Sequence, residues 1–301
     1  MPAPAGCVFP PRRQRAGLFV IAGLALCFPG GALHAEDSRR AAKAGYHLFH
    51  RTPAELRRGL STDRPDLTES PHTVDAGWFQ IEGDVAAFAW DRHNVERAER
   101  DVEAFAFLPL NLKAGLTRDV DLQVILLPWL RETVREPGLP PARTTGFGDV
   151  LTRVKWNLWG NDGGPTALAL MPYAKWPAAG DGLGNGAVEG GLIVPFGLEL
   201  PAGFTLGAMT QFDLRHDDDG EEAHAGFINT ITVSRALVGK LGAFVEFYSD
   251  VESTGAPWAG AVNAGLTLGL TDDLQLDAGM VFGVTRAAPD LGAFAGFAVR
   301  F

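Results

Sequence analysis

A chain of 301 residues with 46% hydrophobic side chains and 37 glycines can bury one large β domain or two ordinary ones. Its formal charge of −10 excludes non-specific binding to nucleic acid, which needs an excess of lysine and arginine. Beyond the N-terminal region no apolar run reaches the roughly 18 residues that a transmembrane helix requires, so any passage through a membrane has to be made by strands.

Residues 1–35 have the three parts of a secretory signal: Arg12, Arg13 and Arg15, the apolar stretch Ala16 to Phe28, and Ala-Leu-His-Ala ending at Ala35. Leu26 is too large for the position before a lipidated cysteine, so Cys27 is not read as a lipid anchor. Cleavage after Ala35 removes both cysteines and three arginines, leaving 23 basic against 36 acidic residues, a formal charge of −13. An exported chain without cysteine is not a disulfide scaffold.

Residues 36–77 are polar and do not alternate. Thr52-Pro53-Ala54-Glu55 has the form of a helix start, with Thr52 as N-cap, Pro53 at the first helical position and Glu55 closing a capping box. It predicts a short helix through Leu60. The stretch TDRPDLTESPHTVDAG over 62–77 has two prolines and many short polar residues, which exclude regular structure. The segment is too small for a domain and is either a periplasmic tail or a plug. The cap and the stiffening prolines favour packing against or inside a periplasmic mouth, with Asp63, Arg64, Asp66 and Glu69 meeting charges on a wall.

From Trp78 to the end the pattern becomes strict alternation. Strands are predicted at 78–92, 100–116, 121–133, 149–160, 166–177, 188–199, 204–215, 225–235, 240–250, 258–269, 274–285 and 291–301, about twelve in all. Every second connection is tight, as at Arg118 to Val120 or Leu200 to Gly203, and the others are longer and polar. Short turns on one side and long loops on the other is the asymmetry of an outer-membrane barrel. Trp78, Trp156 and Trp159 fall towards the short-turn ends, and Trp90, Trp129, Trp176 and Trp258 towards the long-loop ends, as two interfacial girdles require. The last strand, LGAFAGFAVRF, ends on Phe301, the kind of residue that serves as an assembly signal, and it has to pair with the first strand to leave no open edge.

Each strand has one apolar face, and the other carries the charge. A charge facing lipid at mid-depth costs about 2–4 kcal/mol, so the charged faces are assigned to the lumen: Glu82, Asp84, Glu103, Lys113, Arg131, Arg153, Lys155, Lys175, Glu189, Asp213, Arg215, Glu246, Asp277 and Arg300. Their mixed signs suit ion pairs between neighbouring strands. The acidic run His216 to Glu222 lacks the spaced ligands of a calcium loop, and Gly180 to Gly186 lacks the Gly-Lys-Ser/Thr of a phosphate loop. Ser234 and Ser249 have no histidine partner, so no catalytic residue, metal or cofactor is expected.

The segment TPAELRRGLSTDRPDLTESPHTVDAGWFQIE (52–82), together with Gly146-Phe147-Gly148-Asp149-Val150 followed by Arg153, Lys155 and Trp156, resembles bacterial outer-membrane proteins of the "transporter", or MetA-pathway of phenol degradation, family. The likeness covers about 52–301. It implies a barrel for uptake of small, often aromatic or hydrophobic compounds, and it supplies no catalytic residues.

The sequence is therefore read as all-β: a signal at 1–35, an N-terminal periplasmic or plug segment at 36–77, and a transmembrane antiparallel barrel at 78–301. The expected function is passive uptake of a small organic solute across the outer membrane of a Gram-negative bacterium. The expected partners are outer-membrane lipid, lipopolysaccharide and the barrel assembly machinery. The competing reading is a closed barrel that acts through its extracellular loops.

Overall fold

The computed structural model describes residues 38–94, 100–217 and 220–301; the signal expected at 1–35 lies outside them. From Phe79 onward the alternating sequence is sorted onto two faces in the only way period two allows, by extended chain. The antiparallel strands are β1 (Phe79–Asn94), β2 (Arg100–Phe107 and Leu110–Gly115), β3 (Val120–Leu126 and Trp129–Arg135), β4 (Ala142–Gly146 and Val150–Trp159), β5 (Thr166–Trp176), β6 (Glu189–Leu200), β7 (Phe204–His216), β8 (Ala223–Val238), β9 (Leu241–Glu252), β10 (Ala259–Gly269), β11 (Leu274–Gly283) and β12 (Leu291–Arg300). Each pairs with its sequence neighbours, and β12 returns to β1 from Gln80↔Arg300 to Trp90↔Leu291, closing the wall. Among the described residues no helix is long and apolar enough to cross a membrane.

The outer face carries the large apolar residues that a soluble protein would bury, among them Phe79, Trp156, Ile231, Val245 and Met280. Only lipid can accommodate such a band. At the periplasmic end Phe79 and Phe301 stack with ring centroids 6.2 Å apart. Trp78 does not join that girdle. It is buried, its indole N–H donates to the Thr52 carbonyl (2.8 Å), and the Arg51 guanidinium covers its ring at 3.3 Å.

Two further expectations fail for identifiable reasons. The helix predicted after Thr52 is only a three-residue 3-10 turn, Ala54–Leu56, with no side-chain cap. Here the chain is held extended along the barrel by wall contacts, which outweigh a local preference worth about 1 kcal/mol.

The second failure concerns alternation. β2, β3 and β4 are interrupted side by side, at Leu108-Pro109, Leu127-Pro128 and Phe147 to Asp149, and β1 is bulged between Asp84 and Ala86. A proline cannot donate to a ladder, so it marks such a break. Each interruption shifts the alternation by one residue. Below it Asn111, Lys113, Asp121 and Gln123 are buried; above it Val102, Ala104, Ala106 and Leu130 are. Glu103 and Arg131, assigned to the lumen by unbroken alternation, therefore lie on the outer face. Glu103 shares that face with its partner Trp90. Arg131 lies over the rings of Phe105 and Trp129.

Candidate functional site: the barrel interior

The interior is built in three storeys. The lowest is filled by the N-terminal segment, which rises along β12 and β1, turns at Leu67-Thr68 and descends along β4 and β3. On the ascent Arg300 donates to the carbonyl of Arg58 (2.9 Å) and Gln80 to that of Ser61 (2.8 Å). On the descent Asn157 donates to the Pro71 carbonyl (2.9 Å), and the Val74 N–H donates to Asp121 (2.9 Å). Below the mouth, Lys43 joins Asp75 (3.0 Å) and Asp162 (2.5 Å).

Between these ends the segment's charges meet the wall. Asp63 is paired with both Lys113 and Lys155, and Lys113 also with Glu82. Arg64 reaches Asp84 (2.6 Å) and Asp277 (2.5 Å), and Glu69 is paired with Arg153. At the turn, Glu246 accepts the backbone N–H groups of Leu67 (2.9 Å) and Thr68 (2.7 Å), the Thr68 hydroxyl (2.6 Å) and the Asn263 amide (2.5 Å). Four donors converge on this one carboxylate and pin the turn of the segment to β9.

These contacts set the segment's titration. Burial works against the charge on Asp63, but Lys113 and Lys155 overcome it and hold the carboxyl far below the usual range. Glu69 is likewise lowered, burial being outweighed by Arg153. Asp66 behaves in the opposite way. Burial and then the charge of Glu246 push it up to about 7, against a hydrogen bond from Thr232. His72 is pushed down to about 4 by burial, Arg58 and Lys155.

The middle storey is apolar. Met171, Ile193, Met209, Ile228, Tyr248 and Ala261 form one buried cluster, against which Leu67, Tyr173 and Val281 pack. Ile125, Leu127 and Leu151 form a second, reached by the same Tyr173. The upper storey is polar and paired. Asp213 accepts from Tyr173 (2.5 Å) and Gln211 (2.7 Å) and pairs with Arg215 (2.7 Å). Arg215 also meets Asp250 and Glu252, each at 3.0 Å, and Lys175 meets Glu189 (2.9 Å) and Asp149 (3.3 Å).

Of the residues picked from the sequence, Glu82, Asp84, Lys113, Arg153, Lys155, Glu246, Asp277 and Arg300 thus contact the segment, and Lys175, Glu189, Asp213 and Arg215 gather at the upper mouth. Glu103 and Arg131 lie outside. Sequence reasoning missed Asp121 and Gln123, which have the parity of the buried face and could have been found by it. It also missed the apolar belt, although Met171, Ile193, Met209 and Tyr248 share the parity of Lys175, Glu189, Asp213 and Glu246 on their strands and could have been found the same way.

Fold and interior define a transmembrane β-barrel with a lumen part-filled by its own N-terminal segment. Residues 62–301 match the family described as putative MetA-pathway of phenol degradation, and the chain belongs to that family. Among solved structures it is similar to the COG4313 outer membrane channel from Pseudomonas putida F1, with a TM-score of 0.58 and 12% identity over 80% of this chain and 100% of that one. The transport unit of the autotransporter AIDA-I from Escherichia coli matches with TM-score 0.47 and 11% identity over 89% and 97%. The NanC porin matches with 0.45 and 10% over 73% and 98%. No curated protein matches the sequence.

Proposed function

We propose that the protein is a passive outer-membrane channel for small organic solutes of apolar or aromatic character. Residues 36–77 serve as its luminal segment, and 1–35 as the export signal removed on the way. The observation that carries this reading is the belt of Met171, Ile193, Met209, Ile228 and Tyr248 across the middle of the lumen. An ion or sugar passing it must shed water with nothing to replace its hydrogen bonds, a cost of several kcal/mol. An apolar ring loses nothing there and gains contact with two thioethers and a tyrosine face.

The similarity to an outer membrane channel of Pseudomonas putida supports this reading by analogy, as does the family's association with phenol degradation. The test is solute flux into liposomes holding the purified barrel, comparing phenol with a pentose of similar size. Faster phenol entry than in empty liposomes, with no gain for the pentose, is the expected result. Equal entry of both overturns the selectivity, and no gain for either would favour the closed barrel that works through its loops.

A further inference from the structure

The outer face at the extracellular ends of β1 to β4 differs from the rest of the wall. Arg92, Arg131, Arg135 and Arg143 all stand on it. Arg131 is the cross-strand partner of Phe105, and Arg143 that of Thr133, two residues along β3 from both Arg131 and Arg135. Arg92 covers the Trp90 ring at 3.9 Å. On β2 and β3 this arrangement exists because the breaks at Pro109 and Pro128 turn the alternation over; with unbroken strands Arg131 and Arg135 would enter the lumen. At the same height β5 to β12 present Trp176, Leu214, Phe227, Val251, Trp258 and Phe282 outward and, among the described strand residues, no lysine or arginine.

Among the described residues the acids on the basic face are Asp101 and Glu103, and Glu103 is taken by Arg135 at 2.6 Å. Arg131 meets aromatic faces and, among the described residues, no carboxylate. Arg131 and Arg143 are diagonal neighbours on adjacent strands, which puts their side-chain origins roughly 7–8 Å apart. Two guanidinium forks at that spacing repel each other unless an anion lies between them. A phosphate accepts from both.

Depth identifies the source of the phosphate. A strand rises about 3.3 Å per residue, so Arg131 and Arg92 stand one pleat above Trp129 and Trp90, just outside the level at which tryptophan marks the headgroup boundary. In a chain of net charge −10 this basic patch faces the membrane plane and not the solvent beyond it. We propose that the upper outer face of β1 to β4 binds a phosphorylated glycolipid of the outer leaflet. Its glucosamine phosphates would lie between Arg131 and Arg143, and its acyl chains on Phe105, Phe107 and Trp129.

The test uses the native barrel in detergent, titrated with lipid A, with dephosphorylated lipid A and with phosphatidylglycerol, and read by native mass spectrometry and by thermal midpoint. Lipid A should bind at least tenfold more tightly than either comparison lipid. The R131Q/R143Q double variant should lose that preference, R131K/R143K should keep part of it, and K240Q at the periplasmic rim should keep all of it. Equal binding of dephosphorylated lipid A or of phosphatidylglycerol overturns the site, as does undiminished binding by a folded R131Q/R143Q. The comparison among lipids on the native chain needs no substitution, so it decides the matter even if that variant does not assemble.

Discussion

The Arg64 guanidinium lies where a side chain on Gly296 would begin: a Cβ there would come within 2.1 Å of its Nη2. Arg64 can span from Asp84 on β1 to Asp277 on β11 only because β12, the closing strand between them, leaves that gap. Gly296→Val should therefore displace Arg64, and Arg64→Ala should leave two buried carboxylates without their cation. Stranding a buried charge costs about 3–5 kcal/mol. Both variants should expose residues 57–72 to protease in the folded barrel and lower the temperature at which it loses its compact form on a gel. Protection equal to that of the parent chain in both variants would show that Arg64 does not hold the segment.

Asp66 gives the seated segment a pH dependence whose sign is fixed. Its folded value of about 7 lies above its free value, so the seated state binds the proton more tightly. Stability from this group is complete below the free value of 3.8 and is lost as pH rises through about 7. Asp63 and Glu69 are lowered, so their contribution is present above the usual carboxylate range and lost only in stronger acid. Between pH 5 and 8 His72 opposes Asp66, because the freed imidazole takes up a proton as pH falls through 6.5 and the seated one does not. In a His72→Gln chain Asp66 decides, and the segment should be cut by protease severalfold faster at pH 8. Asp66→Asn should remove most of that difference. A His72→Gln chain with the same cleavage rate at both values would contradict the assignment.

The closing strand should depend on its last residue. Phe301 exchanges backbone hydrogen bonds with Phe79 in both directions, at 3.0 and 2.9 Å, and stacks on its ring. Deleting Phe301 removes the last rung of the β1–β12 seam and an interfacial aromatic together. The yield of heat-modifiable barrel in outer membranes should fall severalfold, with aggregated chain accumulating in the periplasm. A normal yield would separate the terminus from assembly.

The strands were legible because period two has one structural solution, and their ends followed from turn residues. Alternation alone also puts Lys113, Arg153 and Lys155 on the inner face. It failed for Glu103 and Arg131 because Pro109 and Pro128 sit inside otherwise continuous apolar stretches, where a one-residue shift leaves no mark in composition. The Thr52 capping box was a sound local signal overridden by tertiary contacts, with Trp78 taking the Thr52 carbonyl. The charges on Asp63 and Glu69 were visible as charges, but their partners are 50 to 92 residues away and only closure of the barrel brings them together.

The apolar belt makes a prediction about selectivity. Ile193 and Met209 are almost fully buried in it, 1% and 6% exposed, and both face the lumen above Leu67. A polar group introduced there would give a hydrated solute partners for the hydrogen bonds it sheds, while adding a desolvation cost for an apolar one. Ile193→Asn with Met209→Gln should raise pentose entry into liposomes and lower phenol entry, narrowing the ratio about tenfold for each 1.4 kcal/mol moved between the two solutes. The volume-conserving pair Ile193→Leu and Met209→Leu keeps the belt apolar and should leave the ratio within about twofold, because such swaps change packing by little. An unchanged ratio in the polar variant, with the barrel intact on a gel, would mean that solutes do not cross at this level.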